Sequence, residues 1–200
     1  MAAVTRTAEE LRSQELEVFK KGVRQVKPES DKAMVSDFYS IMGDLYHLKD
    51  MNAEAYAAYD SALVYKSDNI GALNNYAYYL SLEKKDLDKA EEMSYRTVKA
   101  EPNNATYLDT YAWILFEKGK YAEARIYMDQ VIQLASDQSS VIWEHCGDIY
   151  YKCGETQKAL EFWQKAEKVA GEATDENDKR KPEELKLLKK KIKYQKYFVE

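Results

Sequence analysis

Two stretches, WEHCGDIY at residues 143–150 and ALEFWQKA at residues 159–166, decide the fold of this chain. In the first, Trp143, Gly147 and Tyr150 are three or four residues apart, as are neighbours on one face of a helix. In the second, Ala159 and Trp163 have the same spacing. Small residues let two helices approach closely, and aromatic rings fill the space beside the contact. The two stretches therefore predict one tightly packed helix pair.

The same pattern recurs three more times toward the N-terminus. One series of small residues has spacings of 34, 35 and 35 residues: Gly43, Ala77, Ala112 and Gly147. A second series follows it by 12 or 13 residues: Ala55, Ala90, Ala124 and Ala159. Two series in register over four periods predict four copies of one helix pair. Since no single pair buries its apolar face alone, the pairs are predicted to stack.

The combined pattern resembles the tetratricopeptide repeat, W-x2-L-G-x2-Y followed by A-x3-F, A and P. The fourth copy fits best, whereas the third has Ala112 in place of glycine and the second has Ser94 in place of the aromatic residue. The resemblance covers about residues 36–173 and implies an all-α, right-handed α-solenoid. NNYAYYL at residues 74–80 and YLDTYAW at residues 107–113 are also similar to a bacterial group within this family.

We predict four repeats, each made of a first and a second helix, with a further helix at either end. The repeats are expected at 36–69, 70–104, 105–139 and 140–173. Their first helices are expected at 36–49, 70–83, 105–118 and 140–153, and their second helices at 52–65, 87–100, 121–135 and 156–170. Residues 1–35 are predicted to hold a helix over 7–26, either a cap or the remnant of an upstream repeat. Residues 174–200 are predicted to be a loop and a basic capping helix that begins at Pro182.

The charge is unevenly distributed along the chain. Residues 179–200 carry a local charge of +6, which leaves −11 for the rest of a chain whose net charge is −5. Nucleic-acid binding requires a basic face on the folded domain, so an acidic body argues against it and leaves room for a cationic partner. For the last helix two interpretations stay open: a cap with a solvated lysine face, or a segment that docks on a membrane or an acidic partner. The second would use Lys189, Lys190, Lys191 and Lys193.

No catalytic, metal-binding or cofactor-binding constellation stands out, so we predict a protein that is not an enzyme and holds no metal or cofactor. His145 and Cys146 are adjacent and would point about 100° apart on a helix. Cys146 and Cys153 would be separated by ~10.5 Å along a helix, too far for a disulfide. Asp44 and Asp148 are expected on solvated repeat surfaces.

The resemblance implies a binding surface, because ligands of tetratricopeptide proteins usually lie in the concave groove lined by the first helices. Carrying those positions over gives ten candidate partner-binding residues: Asp37, Asp44, Asn74, Tyr78, Asp109, Trp113, Phe116, Glu144, Asp148 and Tyr151. Acids run through the set and aromatic rings cluster in its later members. The hypothesis is an extended or helical partner segment with apolar anchors and Lys or Arg. The alternative is that a neighbouring helix covers Trp113 and Phe116.

The family's carboxylate clamp, which binds chaperone C-termini, is not expected. Its positions fall here on Ser40, Asp44, Asn75, Thr106 and Thr110. Only Asn75 fits, and the cations that would pair a terminal carboxylate are missing.

The sequence therefore predicts a protein–protein interaction scaffold that binds another protein or peptide. The alternative is a non-catalytic accessory module of a larger enzyme or of an export or assembly complex. A further hypothesis is that the basic tail fills the groove of its own chain or of a neighbour, as autoinhibition or self-association. No segment has the roughly 18 consecutive apolar residues of a transmembrane helix. A complete chain is expected in the cytoplasm, whereas a fragment of an exported protein leaves the periplasm open.

Overall fold

A computed structural model describes residues 7–134, 138–174 and 180–198, and this part of the chain forms ten helices and no strand. The helices are α1 (Ala8–Arg24), α2 (Lys32–His47), α3 (Asn52–Tyr65), α4 (Ile70–Leu82), α5 (Leu87–Ala100), α6 (Ala105–Glu117), α7 (Tyr121–Leu134), α8 (Ser140–Lys152), α9 (Thr156–Glu172) and α10 (Pro182–Tyr194). The predicted all-α fold class is confirmed, and α4 to α8 lie within one residue of their expected bounds. Residues 1–6 and much of the loop before Pro182 lie outside the described residues.

The largest difference from the expected bounds is the start of α2, which begins at Lys32 instead of residue 36. Asp31 is the N-cap residue, and its Oδ1 accepts hydrogen bonds from the backbone N–H groups of Ala33 and Met34 at 2.8 and 3.2 Å. A capping carboxylate satisfies donors that the first turn cannot pair, so the helix extends back to it.

All four turns between the helices of a repeat place a residue in the left-handed region at the same position, and the second turn has Asp86 in this region as well, with φ of 41°. Asp50, Lys84, Gly119 and Gly154 have φ values of 57°, 52°, 77° and 86°. Each stands seven residues after its repeat's first small residue. Glycine adopts this conformation without strain, whereas Lys84 does so at an energetic cost.

The chain divides into two compact units, Met1–Tyr79 and Leu80–Glu200. In the first unit, α1 and α3 both pack against α2. Leu16 of α1 lies in a core with Met42, Leu45 and Ala58, and Phe19 packs against its edge. The predicted N-terminal helix thus contributes to the first unit's core.

In the second unit, α6 packs against α7 and α8 against α9, while α10 packs against α9. The three tryptophans of the chain, Trp113, Trp143 and Trp163, lie on α6, α8 and α9 and are all buried. This unit holds the aromatic residues that made the fourth copy recognisable.

Glycine is required where the two helices of a pair touch. A Cβ on Gly43 would lie 2.6 Å from the Tyr59 ring, and a Cβ on Gly147 would overlap the Trp163 ring. Real Cβ atoms essentially never show a contact under 3.0 Å, so each ring fits only against a bare backbone. The spacing of small residues in the sequence therefore reports a direct contact between backbone and ring.

Candidate partner-binding surfaces

We call the four candidate residues of the first unit the first-unit face: Asp37, Asp44, Asn74 and Tyr78. Asp37 is exposed, Asp44 and Tyr78 are half-buried, and Asn74 is buried. Asn69 links this face to the start of α2, since its Nδ2 donates to Asp37 Oδ1 and to Ser36 Oγ, both at 2.9 Å. Part of the face is thus open, and the carboxylate of Asp37 is held by a hydrogen bond.

Asp44 is not a solvated surface acid. Its Oδ1 accepts hydrogen bonds from the Tyr59 hydroxyl and, at 2.9 Å, from Asn75 Nδ2. Burial raises the pKa of Asp44 even though both of these hydrogen bonds oppose the rise. The expectation of a solvated Asp44 is therefore wrong, because the ring of Tyr59 on α3 shields one side of the carboxylate.

The other six candidates form what we call the second-unit face: Asp109, Trp113, Phe116, Glu144, Asp148 and Tyr151. All are buried except Tyr151, which is half-buried. Trp113 stacks between Phe116 and His145, with ring centroids 4.7 and 4.0 Å apart. His145 Nδ1 lies 2.9 Å from Asp109 Oδ1. No role was predicted for His145, since its part in this stack depends on a contact between α6 and α8.

The chain's own C-terminal segment lies on the second-unit face. Lys191 of α10 donates from Nζ to Glu144 Oε1 and to Asp148 Oδ2, both at 2.7 Å. Arg180 donates to Glu144 Oε2 at 2.7 Å and to Ser140 Oγ at 3.3 Å. Two acids that the sequence proposed for a cationic partner are therefore paired with cations of this chain.

The lysine-rich side of α10 is only partly solvated. Lys191 is 3% exposed, whereas Lys189, Lys190 and Lys193 are exposed. Asp148, expected at a solvated surface, is 2% exposed. Solvation therefore holds for three of the four lysines and fails for Lys191 and Asp148, whose side chains are buried against each other.

The two buried acids differ in their electrostatics. Burial opposes the ionisation of Glu144, but Lys191 and Arg180 outweigh it and hold the pKa of Glu144 below its ordinary value. Asp148 has Lys191 as its cationic partner and Glu144 as a repelling neighbour, and burial raises its pKa to about 6. Lys191 therefore has one partner whose pKa is lowered and one whose pKa is raised to about 6.

The first and fourth repeats share one hydrogen-bonded arrangement of three residues. Trp163 Nε1 donates to Asp148 Oδ1 at 2.9 Å, as the Tyr59 hydroxyl donates to Asp44 Oδ1. In both repeats the aspartate directly follows the glycine that the ring touches. A Gly-Asp pair with an aromatic residue 15 positions after the aspartate was visible in the sequence and could have predicted the bond.

The described residues form neither a metal site nor a membrane-spanning helix. Over residues 7–134, 138–174 and 180–198, no group of three or more His, Cys, Asp or Glu is placed to hold a metal ion. Within the same ranges no helix has the length and apolarity to cross a membrane. Cys146 and Cys153 are free thiols, and burial raises the pKa of both, which lowers their reactivity.

Comparisons with known proteins agree with this architecture. Residues 80–175 match a family model described as tetratricopeptide repeat. The thermophilic tetratricopeptide protein TTC0263 of Thermus thermophilus superposes with a TM-score of 0.65 at 13% identity, over 94% of this chain and 92% of that chain. MamA from Desulfovibrio magneticus RS-1, residues 41 to the end, gives 0.64 at 15% identity, over 82% and 88%. YrrB, a tetratricopeptide protein with an unusual peptide-binding site, gives 0.60 at 19% identity, over 80% and 78%.

At these identities the solved structures establish a shared fold. Tetratricopeptide repeats are in general a non-catalytic scaffold that binds peptides or proteins. The four-fold sequence period, the paired helices and the family match over residues 80–175 together show that this chain is similar to tetratricopeptide repeat proteins.

Proposed function

We propose that this chain is a protein-interaction scaffold that binds a partner segment in the groove lined by the first helices of its repeats. The observation that carries the proposal is the pairing of Lys191 and Arg180 with Glu144 and Asp148. It supports the view that these helix faces accommodate basic segments, because the chain itself supplies one.

The first-unit face is a partly open surface that we assign to an external partner. Asp37 is exposed and Tyr78 is half-buried, so one can meet a cation and the other an apolar side chain. Asn75, the one residue that fits a carboxylate clamp, already donates to Asp44. We therefore expect a partner with Lys or Arg and apolar anchors, and no binding of chaperone C-termini.

The test compares two tyrosine substitutions on opposite kinds of helix. Tyr78→Ala alters the first-unit face, and Tyr95→Ala alters a second helix, α5, at a ring that is 46% exposed. Each immobilised protein is incubated with native extract at moderate salt, and the captured proteins are identified by mass spectrometry. The proposal expects a partner that the unaltered chain and Tyr95→Ala retain and that Tyr78→Ala loses.

Circular dichroism must show that all three proteins are equally folded, because Tyr78 also packs against Tyr79 with ring centroids 5.8 Å apart. Equal capture by the three would remove the first-unit face from the proposal.

A further inference from the structure

The contact between α10 and the second-unit face describes the chemistry of a ligand. Leu188 is fully buried, and Lys191, one turn later on the same side of the helix, is 3% exposed. Lys191 Nζ ends between two carboxylates at equal distances of 2.7 Å. The ring of Tyr197 meets Phe116 edge-on, with centroids 5.6 Å apart. The face thus takes a lysine and an aromatic ring from one short segment, which also buries a leucine in a helix that packs against α9.

The lysine pocket is selective because a buried ammonium group is strongly disfavoured unless its partners are well placed. Glu144 and Asp148 supply two negative charges, and Lys191 and Arg180 supply two positive charges. An occupant without the lysine would leave Asp148 with Trp163 as its sole hydrogen-bond donor among the bonds described above. An acidic side chain in the same place would bring three carboxylates together.

We propose that the second-unit face is a binding site for a lysine-bearing amphipathic helix of another protein, and that α10 is its autoinhibitory occupant. This inference rests on the proposed scaffold function, to which it adds the partner's chemistry and a form of regulation. The partner is expected to present a leucine followed three residues later by a lysine. It binds by replacing α10.

The connection before α10 is long enough for this helix to dissociate from the second-unit face. Nine residues connect α9 to α10, whereas the turns within the repeats have three or four. A long connection lets a helix separate without unwinding its neighbour. Lys189, Lys190 and Lys193 are exposed on the docked helix and keep it polar when it is released. A partner's apparent affinity is its intrinsic affinity multiplied by the fraction of molecules in which α10 is released.

The experiment uses the full chain and a fluorescent peptide with the sequence of residues 180–198. Lys191→Glu should eject the chain's own α10, because its carboxylate would face Glu144 and Asp148. Lys189→Glu makes the same change of charge at an exposed position and is the matched control. We expect the peptide to bind the Lys191→Glu chain at least about tenfold more tightly than the control chain or the unaltered chain. A peptide that itself carries Lys191→Glu should not bind.

Three results would overturn the proposal, and failure of the variant to fold changes only the substitution that is used. Equal affinities of the two variant chains, or a peptide that binds equally well with glutamate, would overturn the proposal. If circular dichroism shows that Lys191→Glu does not fold, Lys191→Met takes its place under the same tenfold criterion. An unaltered chain that is dimeric by light scattering and becomes monomeric with Lys191→Glu would overturn it too, and would assign the face to α10 of a second copy. None of these results touches the Tyr78 test, so failure here leaves the scaffold proposal standing.

Discussion

Gly147 shows what a single residue contributes to a repeat. Its Cα touches the Trp163 ring so closely that no Cβ can be inserted, whereas a Cβ on Gly171, also helical, would meet nothing within 4 Å. We expect Gly147→Ala to lower the free energy of unfolding by about 1–3 kcal/mol, the usual effect of overpacking. Gly171→Ala should leave it unchanged or raise it by up to about 1 kcal/mol, because alanine favours helices. Urea unfolding followed by circular dichroism measures both, and equal shifts of the two midpoints would refute the packing argument.

Asp148 makes a pH-dependent contribution to stability. Its pKa of about 6 in the folded chain lies above the ordinary value of 3.8, so the folded chain holds this proton more tightly than the unfolded chain. Ionisation therefore disfavours folding as the pH rises from 3.8 to about 6. We expect the stability of the unaltered chain relative to Asp148→Asn to fall over this interval, by up to roughly 3 kcal/mol, and then to level off.

Urea unfolding of the two proteins at several pH values between 4 and 7 tests this expectation, with Asp68→Asn at an exposed turn position as the control. A relative stability that rises with pH would mean that the attraction of Lys191 outweighs burial at Asp148.

At the scale of the residue, the sequence predicted the close glycine contacts correctly but not which charged side chains are buried. Gly43 and Gly147 were recognised because their repeats share a period of 34 or 35 residues. The burial of Asp148 was missed because its partner, Lys191, lies 43 residues away and outside that period. A contact made once in the chain leaves no periodic signal.

At the scale of the element, the turns within the repeats place different residues in the same backbone conformation. Lys84 has φ of 52° where the third and fourth repeats have glycine. We expect Lys84→Gly to be more stable than Lys84→Ala by about 1 kcal/mol, because both lose the ion pair with Glu117 and only the glycine relieves the backbone. Thermal unfolding of the two variants measures the energetic cost of placing a residue other than glycine at this positive φ. Equal melting temperatures would show that the turn carries no strain at this position.

The helices themselves were largely predictable from the sequence. Small residues and aromatic rings at helical spacing located α4 to α8, and Pro182 marked the first residue of α10. The start of α2 was missed because Asp31, its N-cap, lies outside the repeated pattern. Which lysine of α10 turns inward was also missed, since four lysines stand close together and only one reaches both Glu144 and Asp148.

At the scale of the whole molecule, the division into two units limits how far a local change can spread. Lys191 contacts Glu144 and Asp148, and all three belong to the unit Leu80–Glu200. Repeat proteins are stabilised mainly by contacts between neighbouring elements. We expect Lys191→Glu to accelerate amide hydrogen exchange in α8 and α10 and to leave α2 and α3 unchanged. Lys189→Glu should change neither region, and acceleration throughout the chain would show that the two units unfold as one.

The fold class followed from the repeat alone, whereas the state of the candidate surface did not. The sequence placed Trp113 and Phe116 in a groove and left open whether a helix covers them. Trp113 is 8% exposed between its two ring neighbours, and Phe116 meets Tyr197 from the segment after α10. Periodicity assigns residues to a helix face, but which other segment lies on that face depends on side-chain pairing across the chain.

The location of the tryptophans has an optical consequence. All three lie in the unit Leu80–Glu200, and the rings of the other unit that absorb in the near ultraviolet are those of tyrosine and phenylalanine. Light absorbed by indole alone therefore excites only the unit that contains α10. Tryptophan fluorescence can therefore follow the release of that helix in the unlabelled protein, because the unit Met1–Tyr79 contributes no emission under this excitation.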